Sequence, residues 1–241
     1  AWTDLRNGNG DIFFIRSTDG GATFGSIVNL TPNAAAGGLL AVTDRAVQPV
    51  MAAAGTAVYV GFQRVNGGIR HVRLARSTNS GATFSSSADL DTTAGTDNFK
   101  HALATSANGA RVALVWESLT TADLTRRIRS RASTDSGATM AAERIVSVNA
   151  GVTPNAGKPR VLVTSSGRFV FVWRERRAPR TTFDVYASFS DDATSAIAVG
   201  AERRIDNDSP GDTRESDDFR IAGDGNHVYL TYSDLSTVVT G

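Results

Sequence analysis

Two sets of polar residues recur at regular intervals along this chain. Their types suit recognition of an anionic or hydroxylated molecule. One set follows short apolar runs: Asp4 and Arg6, Gln63 and Arg64, Glu117, then Arg174, Glu175 and Arg176, then Ser233 and Asp234. The other opens a neighbouring series of runs: Gln48, Lys100 and His101, Lys158 and Arg160, Asp218 and Arg220. Arginine presents a planar fork of donors that meets a carboxylate with two parallel hydrogen bonds. The alternative is a solvated rim whose charges pair with one another, because exposed ion pairs usually do nothing specific. Metal ligation is disfavoured. His101 stands beside Lys100 with no second His or carboxylate at ligand spacing, which suits a surface or hydrogen-bonded side chain better; His71 and His227 carry no motif. The chain has no Cys, hence no disulfide or thiolate site, and nothing in it calls for a cofactor.

The elements that would position these residues are set by a repeat. The octapeptide Ser17-Thr18-Asp19-Gly20-Gly21-Ala22-Thr23-Phe24 returns as Ser77-Thr78-Asn79-Ser80-Gly81-Ala82-Thr83-Phe84 and as Ser133-Thr134-Asp135-Ser136-Gly137-Ala138-Thr139-Met140. A worn copy starts at Ser190-Asp191-Asp192, and the spacings are 60, 56 and 57 residues. Such a period marks one supersecondary unit repeated. Ahead of each copy lie runs rich in β-branched and aromatic residues, such as Val112–Trp116 and Phe169–Trp173, bounded by turn residues. Val50–Ala54, His101–Thr105, Arg160–Thr164 and Phe219–Ala222 read as first strands. Tight turns at Gly55, Asn108-Gly109, Ser166-Gly167 and Gly225-Asn226 join them to their successors. A fourth strand follows each octapeptide, as at Gly25–Leu30 and Glu143–Val148. The fold class is therefore all-β: a β-propeller of four-stranded antiparallel blades, each meander packed radially against the next.

The octapeptide explains itself as a turn. The Asp carboxylate accepts from backbone N–H groups, the Gly (Gly21, Gly81, Gly137) takes a positive φ, and the aromatic folds back between sheets. This pattern resembles the Asp-box, or bacterial neuraminidase repeat, of sialidases and sialidase-like propellers, and Trp2 through Ile12 is similar to the same family's secreted bacterial members. The resemblance covers essentially the whole chain. It implies that the box is structural and lies on the face away from the active site, so Ser17, Asp19, Ser77, Asn79, Ser133, Asp135, Ser190 and Asp192 are corner residues. The two polar sets then share the opposite face, around a central depression.

Trp2, Trp116, Trp173 and Tyr232 share one phase of the repeat, so both ends of the sequence fall inside a blade. About four blades fit, expected either as a closed ring or as part of a six- to eight-bladed propeller with further blades from the same or another chain; the second is favoured. The segment Asp206–Asp218 reads as a long loop between blades, and residues 1–241 as one domain. A net charge of +1 gives no electrostatic case for nucleic acid. No run approaches the length of a membrane span. Arg dominance over Lys, with abundant Ala, suggests a high-GC bacterial genome.

The resemblance implies the parts of a sialidase: an arginine triad for the substrate carboxylate, a Tyr nucleophile with a Glu, and an Asp acid/base. Phe219-Arg220-Ile221-Ala222 has the phase of the family's Phe/Tyr-Arg-Ile-Pro but lacks the Pro, and Pro159-Arg160-Val161 occupies the same phase one blade earlier. No Tyr–Glu pair can be assigned. Three functions follow in order: a non-catalytic module binding a glycan or protein ligand in a secreted or surface bacterial protein; a fragment of an exo-sialidase or related glycoside hydrolase; a structural assembly propeller.

Overall fold

The computed structural model describes residues 1–6, 10–32, 45–86, 88–148, 155–178, 180, 182–194, 201–206 and 215–235. Among them are strands and turns, with no helix. Sheet I holds β1 (Trp2–Asp4), β2 (Asp11–Phe14) and β3 (Val28–Asn29). Sheet II holds β4 (Arg45–Ala54), β5 (Ala57–Asn66), β6 (Ile69–Ser77) and β7 (Ser85–Ser86). Sheet III holds β8 (Thr96–Thr105), β9 (Val112–Thr120), β10 (Arg126–Ser133) and β11 (Arg144–Ile145). Sheet IV holds β12 (Asn155–Val163), β13 (Phe169–Arg176), β14 (Asp184–Ser190) and β15 (Arg203–Arg204), and hairpin V holds β16 (Glu215–Asp224) and β17 (His227–Leu235). Within each unit, neighbours in sequence pair antiparallel, and a lone parallel pair, Arg126 with Asn155, links β10 to β12.

The second strands are apolar on both faces because both faces are covered. Val58, Val60 and Phe62 meet Ile12, Phe14 and Leu30 of sheet I, while Tyr59 packs with Val112, Leu114 and Trp116 of sheet III. Val115 and Ile128 continue into Phe169, Phe171 and Trp173 of sheet IV, and Val172 and Val185 meet Phe219 of hairpin V. Face-to-face packing of successive meanders is the arrangement of propeller blades.

Several sequence expectations are corrected in detail. Each first strand starts earlier than its apolar run, at residues 45, 96, 155 and 215, and is interrupted by a β-bulge. Asn108-Gly109 and Ser166-Gly167 sit in longer connections, closed by Ser106 N donating to Arg111 O and Thr164 N donating to Arg168 O, because a β-turn at 106–109 and 164–167 is added before the next strand. The fourth strands shrink to two residues. Of the expected loop Asp206–Asp218, residues 215–218 belong to β16, Asp206 is an anchor described below, and 207–214 lie outside the described residues.

Three boxes are wired alike. Ser133 Oγ donates to Asp135 Oδ1 at 2.6 Å and accepts from Gly137 N at 3.0 Å, while Asp135 accepts from Thr139 N at 3.0 Å and Thr139 Oγ1 at 2.6 Å. Asp19 does the same with Thr23, whereas Asn79 accepts from Thr83 N at 3.0 Å and donates its Nδ2 to Thr83 Oγ1 at 2.8 Å. Gly81 has φ 78°, and a Cβ there would sit 2.8 Å from Phe14, so backbone shape and packing both demand glycine. The worn copy is shorter: Asp192 bonds Thr194, two residues on, and Ser190 Oγ donates to the Asp192 carbonyl. Phe84 meets Phe14 edge-on at 4.9 Å, and Met140 packs beside Tyr59 and Leu74. Phe24 departs from expectation. It is 62% exposed, because no described sheet lies against that side of sheet I.

Candidate functional site

The bulges govern what the inner strands present. Gln48 (φ 55°), Lys100 (φ 32°), Lys158 (φ 53°) and Asp218 (φ 48°) occupy the bulge of four successive first strands, each a non-glycine in the left-handed region. Such residues cost of order 1 kcal/mol each and cluster where a side chain must be re-aimed. All four belong to the polar set that the sequence places around the depression.

Beside the bulges runs a chain of charges crossing three units. Arg126 bonds Glu117, whose Oε2 lies 3.4 Å from Lys158 N. Lys158 Nζ reaches both oxygens of Asp217 at 2.6 Å, and Arg174 reaches Asp217 at 3.1 Å. A Cβ on Gly157 would fall 2.8 Å from Glu117 Oε2, so this glycine admits the carboxylate to the strand. Glu117, Glu175 and Gln63 lie beneath the face rather than on it. Their apolar neighbours pull the strand ends inside, and arginines neutralise the two carboxylates. Glu175 accepts from Trp173 Nε1 at 3.0 Å and from Arg177 at 2.6 Å. Asp4 plays the same part for Trp2 at 3.2 Å, and its carboxyl is held below the ordinary range by Arg6. Arg64 turns to Asp89 at 3.2 Å.

Two arginines stand at matching places on neighbouring first strands. Arg160 and Arg220 occupy equivalent positions on β12 and β16, pairing with Val172 and Thr231. Each donates to the carbonyl just before it, of Pro159 at 2.9 Å and Phe219 at 3.0 Å. Arg160 is half-buried over the Phe219 ring and has no carboxylate partner among the described residues. Burial and then the nearby Arg220 lower its pKa, against an opposing pull from Asp218. Arg220 itself pairs with Asp218 at 2.8 Å in the open. Lys100 is exposed, and the Asp234 side chain lies outside what is described.

His101 departs from expectation. It is buried with both ring nitrogens lacking hydrogen-bond partners, and burial pushes its pKa down to about 4. The Gly61 and Gln48 backbones oppose that shift without hydrogen-bond geometry. Among the described residues no group of acidic, His or Cys side chains could hold a metal ion. Tyr59 OH donates to Gly109 O at 2.6 Å, and Tyr186 lies by Asp184 with its pKa raised to about 12 by burial, the reverse of activation.

One positional device is not evident from the residue types alone. Each third strand donates a backbone N–H to a side chain beyond the fourth: Ile12 to Thr31, Val72 to Asp91, Ile128 to Ser147 and Val185 to Asp206, at 2.7–2.9 Å. Thr31, Asp91 and Ser147 each fall 14 residues after a box Ser, a spacing that could have revealed them.

This architecture is that of the sialidase-like β-propellers. Solved structures with the same fold include the Hadza microbial sialidase Hz136 (TM-score 0.52, 17% identity, covering 77% of this chain and 39% of that one). The Penicillium chrysogenum alpha-L-arabinanase complexed with arabinobiose is similar too (TM-score 0.53, 14% identity, 92% and 69%). So is a mutant of the NanB sialidase from Streptococcus pneumoniae (TM-score 0.51, 15% identity, 95% and 33%). The chain thus spans well under half the length of either sialidase. No protein-family model and no curated protein matches it.

Proposed function

We propose that the bulge-bearing face binds a glycan carrying a carboxylate, as a recognition module of a secreted or surface bacterial protein. The observation that carries this reading is Arg160: a half-buried guanidinium with no carboxylate partner among the described residues, beside a second arginine at the same strand position. A carboxylate would neutralise the pair with charge-assisted bonds, each worth about 1.5–3 kcal/mol. Titration with 3′-sialyllactose tests it. Arg160→Ala and Arg220→Ala are expected to weaken binding roughly tenfold or more each. Unchanged affinity in both variants would remove the proposal. No helix among the described residues is long and apolar enough to cross a membrane.

A second reading is that the chain is a piece of a glycoside hydrolase, favoured by the sialidases and arabinanase that share its fold. Turnover of a fluorogenic sialoside or arabinoside by the longest natural form of the protein would select it over binding alone.

A further inference from the structure

We infer that the cleft between sheets II and III is a second, lateral subsite for an uncharged polyhydroxylated ligand, with His71 as its positioned hydrogen-bonding group. This rests on the glycan-binding reading above but uses none of the same residues.

The repeat supplies an internal control. The buried N–H at the start of the third strand is satisfied by a hydroxyl in two units, Thr31 in sheet I and Ser147 in sheet III, and in sheet IV by the Asp206 carboxylate, whose other oxygen is taken by Arg204. Sheet II carries Asp91 there, whose Oδ1 alone does that task at 2.7 Å. The second oxygen is therefore surplus to the strand. It meets His71 Nδ1 at 2.9 Å and accepts from Asn98 Nδ2 at 3.0 Å. A carboxylate can only accept, so Nδ1 carries the proton and the ring is fixed with Nε2 as its outer nitrogen. Among the described residues Nε2 has no partner, and the side chain is 28% exposed beside an Asp91 that is nearly closed off. The buried carboxylate fixes the orientation of the imidazole and leaves its far nitrogen available to a partner in the cleft.

The cleft around it is braced by hydrogen bonds on both walls. Its volume is about 490 Å³, enough for one or two sugar rings. Glu143 holds the Thr92 and Thr93 N–H groups at 2.6 and 3.0 Å, and Arg129 braces Glu143 at 3.1 Å. Thr121 ties the far wall to Gly95 O at 2.9 Å through its backbone and 3.0 Å through its hydroxyl. The hydroxyls of Thr92, Thr96 and Thr121 send their protons inward, to Glu143, Thr93 O and Gly95 O. Their lone pairs are what the cleft offers, and they suit donors such as sugar O–H groups. The nearby charges are spent on one another, Arg70 on Asp97 at 2.5 Å. Ile69, 38% exposed, gives apolar surface for the C–H face of a ring.

The chain has three histidines, so ring signals resolve the question directly. The intact chain, isotope-labelled at histidine, is titrated with lactose, maltose, cellobiose and arabinobiose at millimolar concentration. At least one disaccharide is expected to shift the His71 ring signals saturably while His101 and His227 stay still. His71→Ala should weaken that sugar roughly tenfold. Asp91→Thr keeps the strand bond in the manner of Thr31, so the chain stays folded by circular dichroism while binding drops several-fold. Should 3′-sialyllactose or a disaccharide bind with the His71 signals unmoved and His71→Ala unaffected, the lateral subsite falls and the glycan reading survives. If none of these sugars binds, both fall.

Discussion

Asp19 and Asp135 show how much one side chain can decide. Each closes its own corner using partners within five residues, and each has its pKa lowered, first by the box Ser hydroxyl and then by the Thr. Because every partner lies inside the octapeptide, this chemistry is legible in one dimension. What the last residue of the box does is not, since it depends on a neighbouring sheet. Phe84→Ala is expected to cost about 2–3 kcal/mol in urea denaturation, below a full core deletion because the ring is only partly covered. Phe24→Ala should stay within about 0.5 kcal/mol, as for an open surface position. His101 sets a pH dependence. Its folded pKa of about 4 lies below the free value of 6.5, so the unfolded chain takes the proton first. Its contribution is complete above 6.5 and is lost as pH falls toward 4, by about 3 kcal/mol at roughly 1.4 kcal/mol per unit. His101→Phe should flatten that segment of the stability–pH curve. An unchanged slope would show that the ring is not held neutral.

At the level of the strand, the apolar runs announced the second strands because both faces are buried, and alternating patterns would have been weaker. The bulges were hidden. Gln48, Lys100, Lys158 and Asp218 are of three residue types, and what all four have in common is a backbone angle at the bulge of the first strand. Their positions in the polar set were readable; their aim was not. Lys100 has an exposed side chain, so the backbone dominates there. Lys100→Gly should be neutral to about 1 kcal/mol stabilising, while Lys100→Val should cost about 1–2 kcal/mol, β-branching being ill-suited to positive φ. The third-strand anchor is a second device of this scale. Ser147 and Ile128 are both fully buried, so Ser147→Ala leaves an N–H without a partner and should cost about 1–3 kcal/mol. Ser147→Thr, the solution used at Thr31, should recover part of it if the extra methyl is accommodated. Equal stability of Ala and Ser at 147 would remove the anchor from the account.

Across the whole molecule, the sheets are joined by apolar faces and by arginines that cross from one unit to the next. Arg16 donates to Ser80 O at 2.6 Å between sheets I and II, and Arg111 to Gly167 O at 2.7 Å and Asp191 O at 3.0 Å between III and IV. Arg144 is the most enclosed. It leaves sheet III through Ser130, reaches Ser190 Oγ at 3.1 Å and Asp192 O at 3.0 Å on sheet IV, and lies over Phe171. Burial lowers its pKa to about 10, so it stays charged at neutral pH. None of this follows from the box spacing, because the partners are 46 and 48 residues away. Repeat architectures unfold as one body only while each interface outweighs the cost of separating its neighbours. Arg144→Ala removes the buried part of the bonding across the III–IV interface, its bonds to Ser190 Oγ and the Asp192 carbonyl, and leaves Arg111 in place, at a cost of about 2–4 kcal/mol. The loss falls between units rather than within one. Denaturation should therefore lose cooperativity as well as midpoint, with a lower apparent m-value in urea and tryptophan fluorescence no longer coincident with circular dichroism. A midpoint shift with m unchanged would mean that the apolar faces and the Arg111 bonds suffice to keep sheets III and IV together.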